Sequence, residues 1–526
     1  MAESKKREAW GSRIGIILAV AGSAVGLGNF LRFPVQAANN GGGAFMIPYF
    51  VSLLLLGIPL MWIEWTAGRF GGGFGHGTAP GIFHSMWEKN RFIKYFGIIG
   101  IFGPIVIFIY YTYIESWLLA YAFFSITGKL ASIEGQGGMQ SFLNAYQGLV
   151  SNEYFSGLGT AYFFFAVTFT LNIFVIYKGI TGGIERLSKW AMPVLLVFGV
   201  ILAVRVLTLG TPDPAKPEWN LSNGLGFLWN PDFSALKSAK VWLAAAGQVF
   251  FTLSVGIGVI LTYASYLKKH NDVALSGLTS AATNEFAEVI LGGSIIIPAA
   301  FIFFGPVEIV SVAKSGSFNL GFVTMPLIFQ QIAFGPLFAF MWFALLFLAG
   351  VTSSISLAQP AVSFLEDEFS IGRKEAVYIF AAVTFIFCQP SVFLLGNGVV
   401  DELDFWGGTF CLVLFATVET ILFSWVFGMD RAWDEMHSGA DIKIPRIYKF
   451  IIKYITPLFL ITILVFWLVQ QGIPTFLMSG AKDADKPFIL MTRMTLVGML
   501  ALLGVLVNIA WKHRAGKNIE ITAADK

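Results

Sequence analysis

The sequence predicts an all-α membrane protein of twelve transmembrane helices, the first ten arranged as two inverted repeats of five. Three observations carry this. Of 526 residues, 56% are hydrophobic and only 12% charged, against the roughly 25% charge of soluble domains. The apolar runs are long enough to cross a bilayer, which needs about 20 residues per helix. Two of these runs are interrupted by the same pattern near mid-membrane: Ser23-Ala24-Val25-Gly26-Leu27-Gly28 in the first, and Ser254-Val255-Gly256-Ile257-Gly258 in the sixth.

In chain order, "MAESKKREAWGSR" is polar and basic and leads straight into an apolar run, without the short apolar core and small-residue cleavage site of a signal peptide. Residues 1–12 are expected to stay attached and cytoplasmic. Spans are predicted at 13–36, 43–70, 93–126, 159–178, 188–210, 240–268, 274–309, 337–368, 374–395, 400–428, 447–474 and 487–513. With the N-terminus inside, roughly 24 of the Lys and Arg residues fall on the cytoplasmic side, as the positive-inside bias requires. An even number of helices places both termini there. The expected organisation is a cytoplasmic segment (1–12), a transport core (13–428), two additional helices (429–513) and a cytoplasmic tail (514–526). Long connections at 127–155, 210–238 and 310–336 fall outside, and "GGMQSFLNAYQGLV" in the first reads as an amphipathic cap.

The interruptions decide the function class. Backbone groups freed inside a bilayer cost several kcal/mol each unless something satisfies them. Two breaks at one depth therefore call for a polar guest or a water-filled cavity. Each half contains an odd number of helices, so the second enters from the opposite face, the signature of an inverted-repeat transporter. Packing glycines of the small-xxx-small kind would account for one break better than for two. No Lys-Ser or Lys-Thr follows, which argues against a phosphate-binding loop.

Cys388 and Cys411 lie in apolar runs, and the five histidines lack metal-ligand spacing, so neither a disulfide framework nor a zinc site is expected. The net charge of +3 follows from the positive-inside bias and gives no reason to invoke nucleic acid. A membrane enzyme would need a clustered nucleophile or metal set, which is missing from the sequence. A channel would not need a site enclosed between two gates.

The stretches "GSAVGLGNFLRFPVQAANNGGGAFMIPY" (22–49), "PLMWIEW" (59–65), "GQVFFTLSVGIG" (247–258), "NEFAEVILGG" (284–293), "AGVTSSIS" (349–356) and "DELDFWGG" (401–408) together resemble the neurotransmitter:sodium symporter family, most closely its bacterial amino-acid members. The resemblance covers nearly the whole chain. It implies the leucine-transporter fold, a prokaryotic inner membrane, alternating access without covalent chemistry, and two sodium ions. The implied substrates are neutral, mostly hydrophobic L-amino acids. The alternative within the family is a chloride-dependent carrier of glycine- or GABA-like substrates.

Carried residue by residue, the resemblance places sodium site one at Ala24, Asn29, Thr252 and Asn284, completed by the substrate carboxylate. Site two would use carbonyls of Gly22, Val25 and Ala349 and the hydroxyls of Thr352 and Ser353. Carbonyl, amide and hydroxyl oxygens suit a hard cation. Read without the family, "TSS" in a helix is equally a set of hydroxyls bonded back to their own carbonyls. The substrate carboxylate would meet the amides of Leu27 and Gly28 and the Tyr111 hydroxyl. Its ammonium would meet carbonyls of Ala24, Phe251 and Thr252 and the Ser254 hydroxyl, each charge suited to a half-helix dipole. Leu27, Ile107, Tyr111, Phe251, Ile257 and Leu357 would wall the side chain. Gly26 stands where amine transporters of the family carry an acid, leaving room for a carboxylate. Ser23, Ile107, Ile257 and Leu357 depart from the Asn, Val, Phe and Ile of the family's leucine transporter, which leaves the choice of apolar substrate open.

The resemblance also implies an outer gate of Arg32 and Asp404 beneath a lid of Tyr111 and Phe251. The implied inner gate is Arg7 and Asp367, assisted by Trp10 and Tyr266. An exposed pair like the latter is otherwise a surface salt bridge worth under about 1 kcal/mol. Glu288 stands where chloride-dependent members carry serine, and a fixed carboxylate there replaces the anion. It is expected to be ionised with sodium bound and free to take a proton on the return step. Glu64 and Glu115 are acids inside spans, a position that calls for a partner. Glu64 is expected to satisfy freed backbone near the breaks, and Glu115 to make an interhelical hydrogen bond.

Overall fold

Serine at position 12 begins the first helix by accepting from the Gly15 amide, one of the donors that a helix start leaves unpaired. From there the computed structural model, which describes residues 8–314 and 316–516, is helical in nearly every element and has no named strand among the described residues. In chain order the apolar helices are α1 (Arg13–Ala24), α2 (Gly28–Asn39), α3 (Gly43–Gly72), α4 (Ile93–Ile126), α5 (Gly159–Tyr177), α6 (Ile180–Leu207), α7 (Ala239–Leu253), α8 (Val259–Ala264), α9 (Ala274–Val307), α10 (Gly335–Phe369), α11 (Arg373–Phe393), α12 (Val399–Val426), α13 (Ile447–Phe476) and α14 (Lys486–Arg514). Ten of these are long and apolar enough to cross a membrane, and α1 with α2 forms one further span bent by 44°. The predicted span 240–268 is present as α7 and α8, each too short to cross alone, with the chain turned between them.

The breaks follow from the residues. After α1, Val25 leaves the helical region with ψ at 96°. Between α7 and α8, Ser254 has φ 53°, Gly256 φ 73° and Gly258 φ 88°. Glycine accepts that left-handed region freely, whereas Ser254 adopts it at a cost. Both glycines also admit close neighbours, since an added Cβ would fall 2.7 Å from the Leu412 carbonyl oxygen at Gly256 and 2.5 Å from that of Gly100 at Gly258.

Burial separates the helices into layers. In the most apolar windows, 78% of α9 and 72% of α4 and of α10 is buried, against 28% of α13 and of α14. The last two helices therefore sit at the periphery of a packed core formed by the preceding ones. The long connections expected to be external carry the helices Gly135–Tyr146 and Leu221–Trp229, the first on the predicted amphipathic piece. Two further short helices, Ala79–Met86 and Met429–His437, have no counterpart in the sequence reading. Wide i→i+5 turns occur at Gly28–Arg32, Phe286–Gly292 and Asp404–Phe410, an irregularity that tends to mark functional positions in helices.

Candidate functional site

The two breaks meet. The Ser254 hydroxyl donates to the Ser23 carbonyl at 2.9 Å, and the Ser353 hydroxyl of α10 donates to the same carbonyl at 3.2 Å. Around them lies an internal cavity lined by Ala24, Gly26, Leu27, Gly28, Ile107, Tyr111, Phe251, Ser254, Ile257, Ser353 and Leu357. These are all the predicted substrate residues except Thr252, which is buried just behind the wall. The sequence reading omitted Tyr110, Ser356, Gly408 and Leu412 from the lining. Ser23, noted only as a departure from the family pattern, also lines the cavity and pairs with Ser356 at 2.7 Å.

Gly26 is the least crowded of the wall's glycines, though close-fitting. A Cβ placed there would lie 3.1 Å from the Ser353 hydroxyl and 3.4 Å from that of Tyr111. At Gly28 it would strike the Phe251 ring at 2.8 Å. The Tyr111 hydroxyl also reaches the Leu27 amide. The Ser353 and Tyr111 hydroxyls thus meet beside Gly26, next to the start of α2, a position at which a helix N-terminus favours a carboxylate.

Oxygens gather at the first predicted ion position. The Asn284 side-chain oxygen lies 3.2 Å from the Ala24 carbonyl oxygen and 3.1 Å from that of Thr252. Oxygens so close need a shared hydrogen or a cation between them. A turned Asn284 amide would supply the first, and a sodium ion the second. Asn29 is held ready, its amide oxygen accepting from the Gly26 amide at 2.8 Å and its nitrogen donating to Asn284 at 2.8 Å. At the second position, α1 and α10 touch, because a Cβ on Gly22 would meet Thr352 at 3.2 Å. Thr352 donates to the carbonyls of Leu348 and Ala349, at 3.0 and 3.1 Å. This is the back-bonding expected without an ion, yet it leaves the hydroxyl's lone pairs free to face a cation. Val25 and Ala349 are fully buried beside them.

Glu288 joins the first ion position directly. Its carboxylate accepts from Gln248 at 2.7 Å, from Asn29 at 3.3 Å and from the Thr252 hydroxyl. It is completely buried. Gln248, one turn before Thr252, was missed although an amide within an apolar run signals such a partner. Glu64 accepts from the Gly256 amide, satisfying a freed backbone group as expected. Glu115 accepts from Ser354 of α10 and from Asn172 of α5, at 3.1 Å for the nearer oxygen of the latter, the interhelical bond foreseen.

Toward one face, the Arg32 guanidinium lies over the Phe251 ring, 4.3 Å from its centroid, and Asp404 accepts from the Tyr110 hydroxyl at 2.6 Å. The acid of the predicted outer gate is thus held by Tyr110. Toward the other face, the Trp10 indole donates to the Tyr263 carbonyl at 2.9 Å. The Tyr266 hydroxyl pairs with Ser363 at 2.6 Å and accepts from Gln359 at 3.0 Å. The Asp367 carbonyl accepts from Arg514 at 3.3 Å. Arg7 lies outside the described residues.

This geometry finds its counterpart among known proteins. A model of the sodium:neurotransmitter symporter family matches residues 7–141 and 139–479. The chain belongs to that family. An uncharacterized sodium-dependent transporter of Methanocaldococcus jannaschii is 31% identical over 475 residues, 86% of this chain and 89% of the relative. The sodium-dependent serotonin transporter of Drosophila melanogaster is 27% identical, over 88% of this chain and 76% of its own length. Among solved structures, that of MhsT in complex with L-phenylalanine superposes with a TM-score of 0.73 at 31% identity, spanning 88% of this chain and 99% of that one. As a family member the chain is a multi-pass, sodium-dependent transporter, and its relatives are transporters, not enzymes.

Proposed function

We propose that the protein is a symporter of neutral, mostly apolar L-amino acids, driven by two sodium ions and independent of chloride. The observation that carries this reading is the missing side chain at Gly26. Beside it the Ser353 and Tyr111 hydroxyls, at the start of α2, face a cavity whose lining includes no carboxylate, so the substrate brings its own. That carboxylate then completes the shell of the sodium ion held by Ala24, Asn29, Thr252 and Asn284, which makes ion and substrate bind as one unit. The apolar remainder of the lining, Ile107, Phe251, Ile257 and Leu357, takes an uncharged side chain, and a solved relative binding L-phenylalanine supports this class.

The second ion would sit between α1 and α10 at Gly22, Val25, Ala349, Thr352 and Ser353, tying the two helices together when bound. Arg32, Phe251 and Asp404 form the outer closure, and Trp10, Tyr266 and Asp367 belong to the inner one. Residues 13–428 make up the transport core, 429–513 the two additional helices, and both termini face the cytoplasm of a prokaryotic cell. The test is sodium-driven uptake in proteoliposomes with the twenty amino acids as competitors, in chloride and in gluconate. Apolar amino acids should compete in both media. Competition by amines lacking a carboxylate, or loss of uptake in gluconate, would sink the proposal.

A further inference from the structure

Glu419 of α12 has no part in the transport reading above, and the structure gives it a precise setting. It is 1% exposed and Glu64 of α3 is fully buried, and the helices that carry them are in contact. The two carboxyls face each other within hydrogen-bonding reach, acceptor against acceptor. Both Glu419 oxygens and the second Glu64 oxygen lack any donor from the protein. The remaining Glu64 oxygen accepts from the Gly256 amide in the break between α7 and α8. Among the described residues, no lysine, arginine or histidine forms an ion pair with either acid. The same break is packed directly on α12, where a Cβ at Gly256 would meet the Leu412 carbonyl oxygen at 2.7 Å and the Ala416 side chain at 2.9 Å.

Two ionised carboxylates in contact inside an apolar interior repel strongly and leave acceptors facing acceptors. One hydrogen between them converts the repulsion into an O–H···O bond and supplies the missing donor. We propose that Glu64 and Glu419 form a proton-binding site, one proton shared by two carboxyls, that fastens α3 and α12 to the break beside the substrate cavity. Through Gly256 the pair acts as a positioning device for the cavity wall at Ser254 and Ile257. This inference goes beyond the identity of the transported solute and does not depend on it.

The test is infrared spectroscopy of the full chain in liposomes at neutral pH, in H2O and D2O. Subtracting the Glu419→Gln spectrum from that of the unmodified protein should show the loss of one protonated-carboxyl carbonyl band, which shifts in D2O. Glu64→Gln should remove the same band. In either variant the glutamine amide donates the hydrogen bond and the remaining acid ionises. Other buried acids, such as Glu115 and Glu288, cancel in the subtraction. Sodium-driven uptake should stay within about threefold in Glu64→Gln, whose amide oxygen still accepts from Gly256, and fall by about tenfold in Glu64→Ala, which leaves that amide unpaired. A difference spectrum that loses only ionised-carboxylate bands would show two charged acids and overturn the proposal. A protonated band untouched by both substitutions would do the same. The variants lie on different helices, so the failure of one to fold leaves the other to decide.

Discussion

Replacing Glu288 by serine tests the electrostatics of the ion site most directly. The acid accepts from Gln248, Asn29 and Thr252, and the last two are the residues proposed to hold the first sodium ion, so its charge stands one residue away from the cation. Unit charges about 6 Å apart interact by about 3 kcal/mol at an effective dielectric constant of about 20. At about 1.4 kcal/mol per tenfold, losing that attraction weakens sodium binding by about 100-fold. Serine is shorter than glutamate and leaves a space in which chloride can meet the Gln248 amide and the Thr252 hydroxyl. Sodium-dependent binding of labelled amino acid to Glu288→Ser should therefore be lost in gluconate and largely restored by chloride, while the unmodified protein binds equally in both. Equal sodium affinity in the variant and the parent without chloride would refute the reasoning, because the carboxylate would then contribute no field at the ion.

Asn29→Ala or Thr252→Ala should weaken sodium and substrate binding together, by about tenfold or more each for the loss of a charge-facing ligand, and equilibrium binding at varied sodium concentration reads both. Substrate affinity that does not change with sodium would contradict the shared shell. Gly26→Asp puts a carboxylate against the substrate's own in a confined space bounded by Ser353 and Tyr111, and calorimetry should detect no amino-acid binding; normal leucine or alanine affinity would place the substrate elsewhere. Asp272, in the connection between α8 and α9, is buried, which by itself raises its carboxyl, but the amides of Asp441, Ser276 and Leu275 and the Ser276 hydroxyl hold it below the usual range. It also pairs with Arg13 at 2.8 Å. A carboxyl depressed by folding stabilises above its unfolded pKa of about 3.9, and that stabilisation is lost as pH falls through the lower folded value. Asp272→Asn should thus lower the melting temperature at pH 7, by the equivalent of about 1 kcal/mol, since its partner Arg13 is largely exposed. The gap between variant and parent should narrow below about pH 4, and a gap that persists in acid would argue against the ionised form as its source.

The helical membrane class, the positions of the long spans and the two breaks were legible in the sequence, because each is written in contiguous residues. A run of some 20 apolar residues has few alternatives in a bilayer, and "SVGIG" cannot continue a helix without cost. The likeness of "GSAVGLGN", "GQVFFTLSVGIG" and "AGVTSSIS" to family motifs then pointed to residues that line one cavity, among them Ala24, Phe251 and Ser353. The sequence alone did not show that Thr352 would bond back to its own helix, nor that Tyr110 and not Arg32 would hydrogen-bond Asp404. Local pattern fixes which groups a helix offers, whereas rotation and packing of neighbouring helices choose their partners.

Glu64 and Glu419 show where that division lies. Glu64 was legible in the sequence as an acid inside an apolar span, which by composition alone says only that a partner must exist, whereas Glu419 went unremarked within 400–428. Their pairing joins residues 355 positions apart, and no periodicity within either helix specifies it. Only the packing of α3, α12 and the Gly256 break brings the carboxyls face to face away from water. Helical periodicity and hydropathy are short-range properties that a linear chain can carry, so the sequence by itself determined the spans, their interruptions and the oxygen-rich chemistry on offer. Exclusion of water and the opposition of charges depend on what several helices enclose together, so the tertiary structure alone decided which oxygens converge and which acids meet.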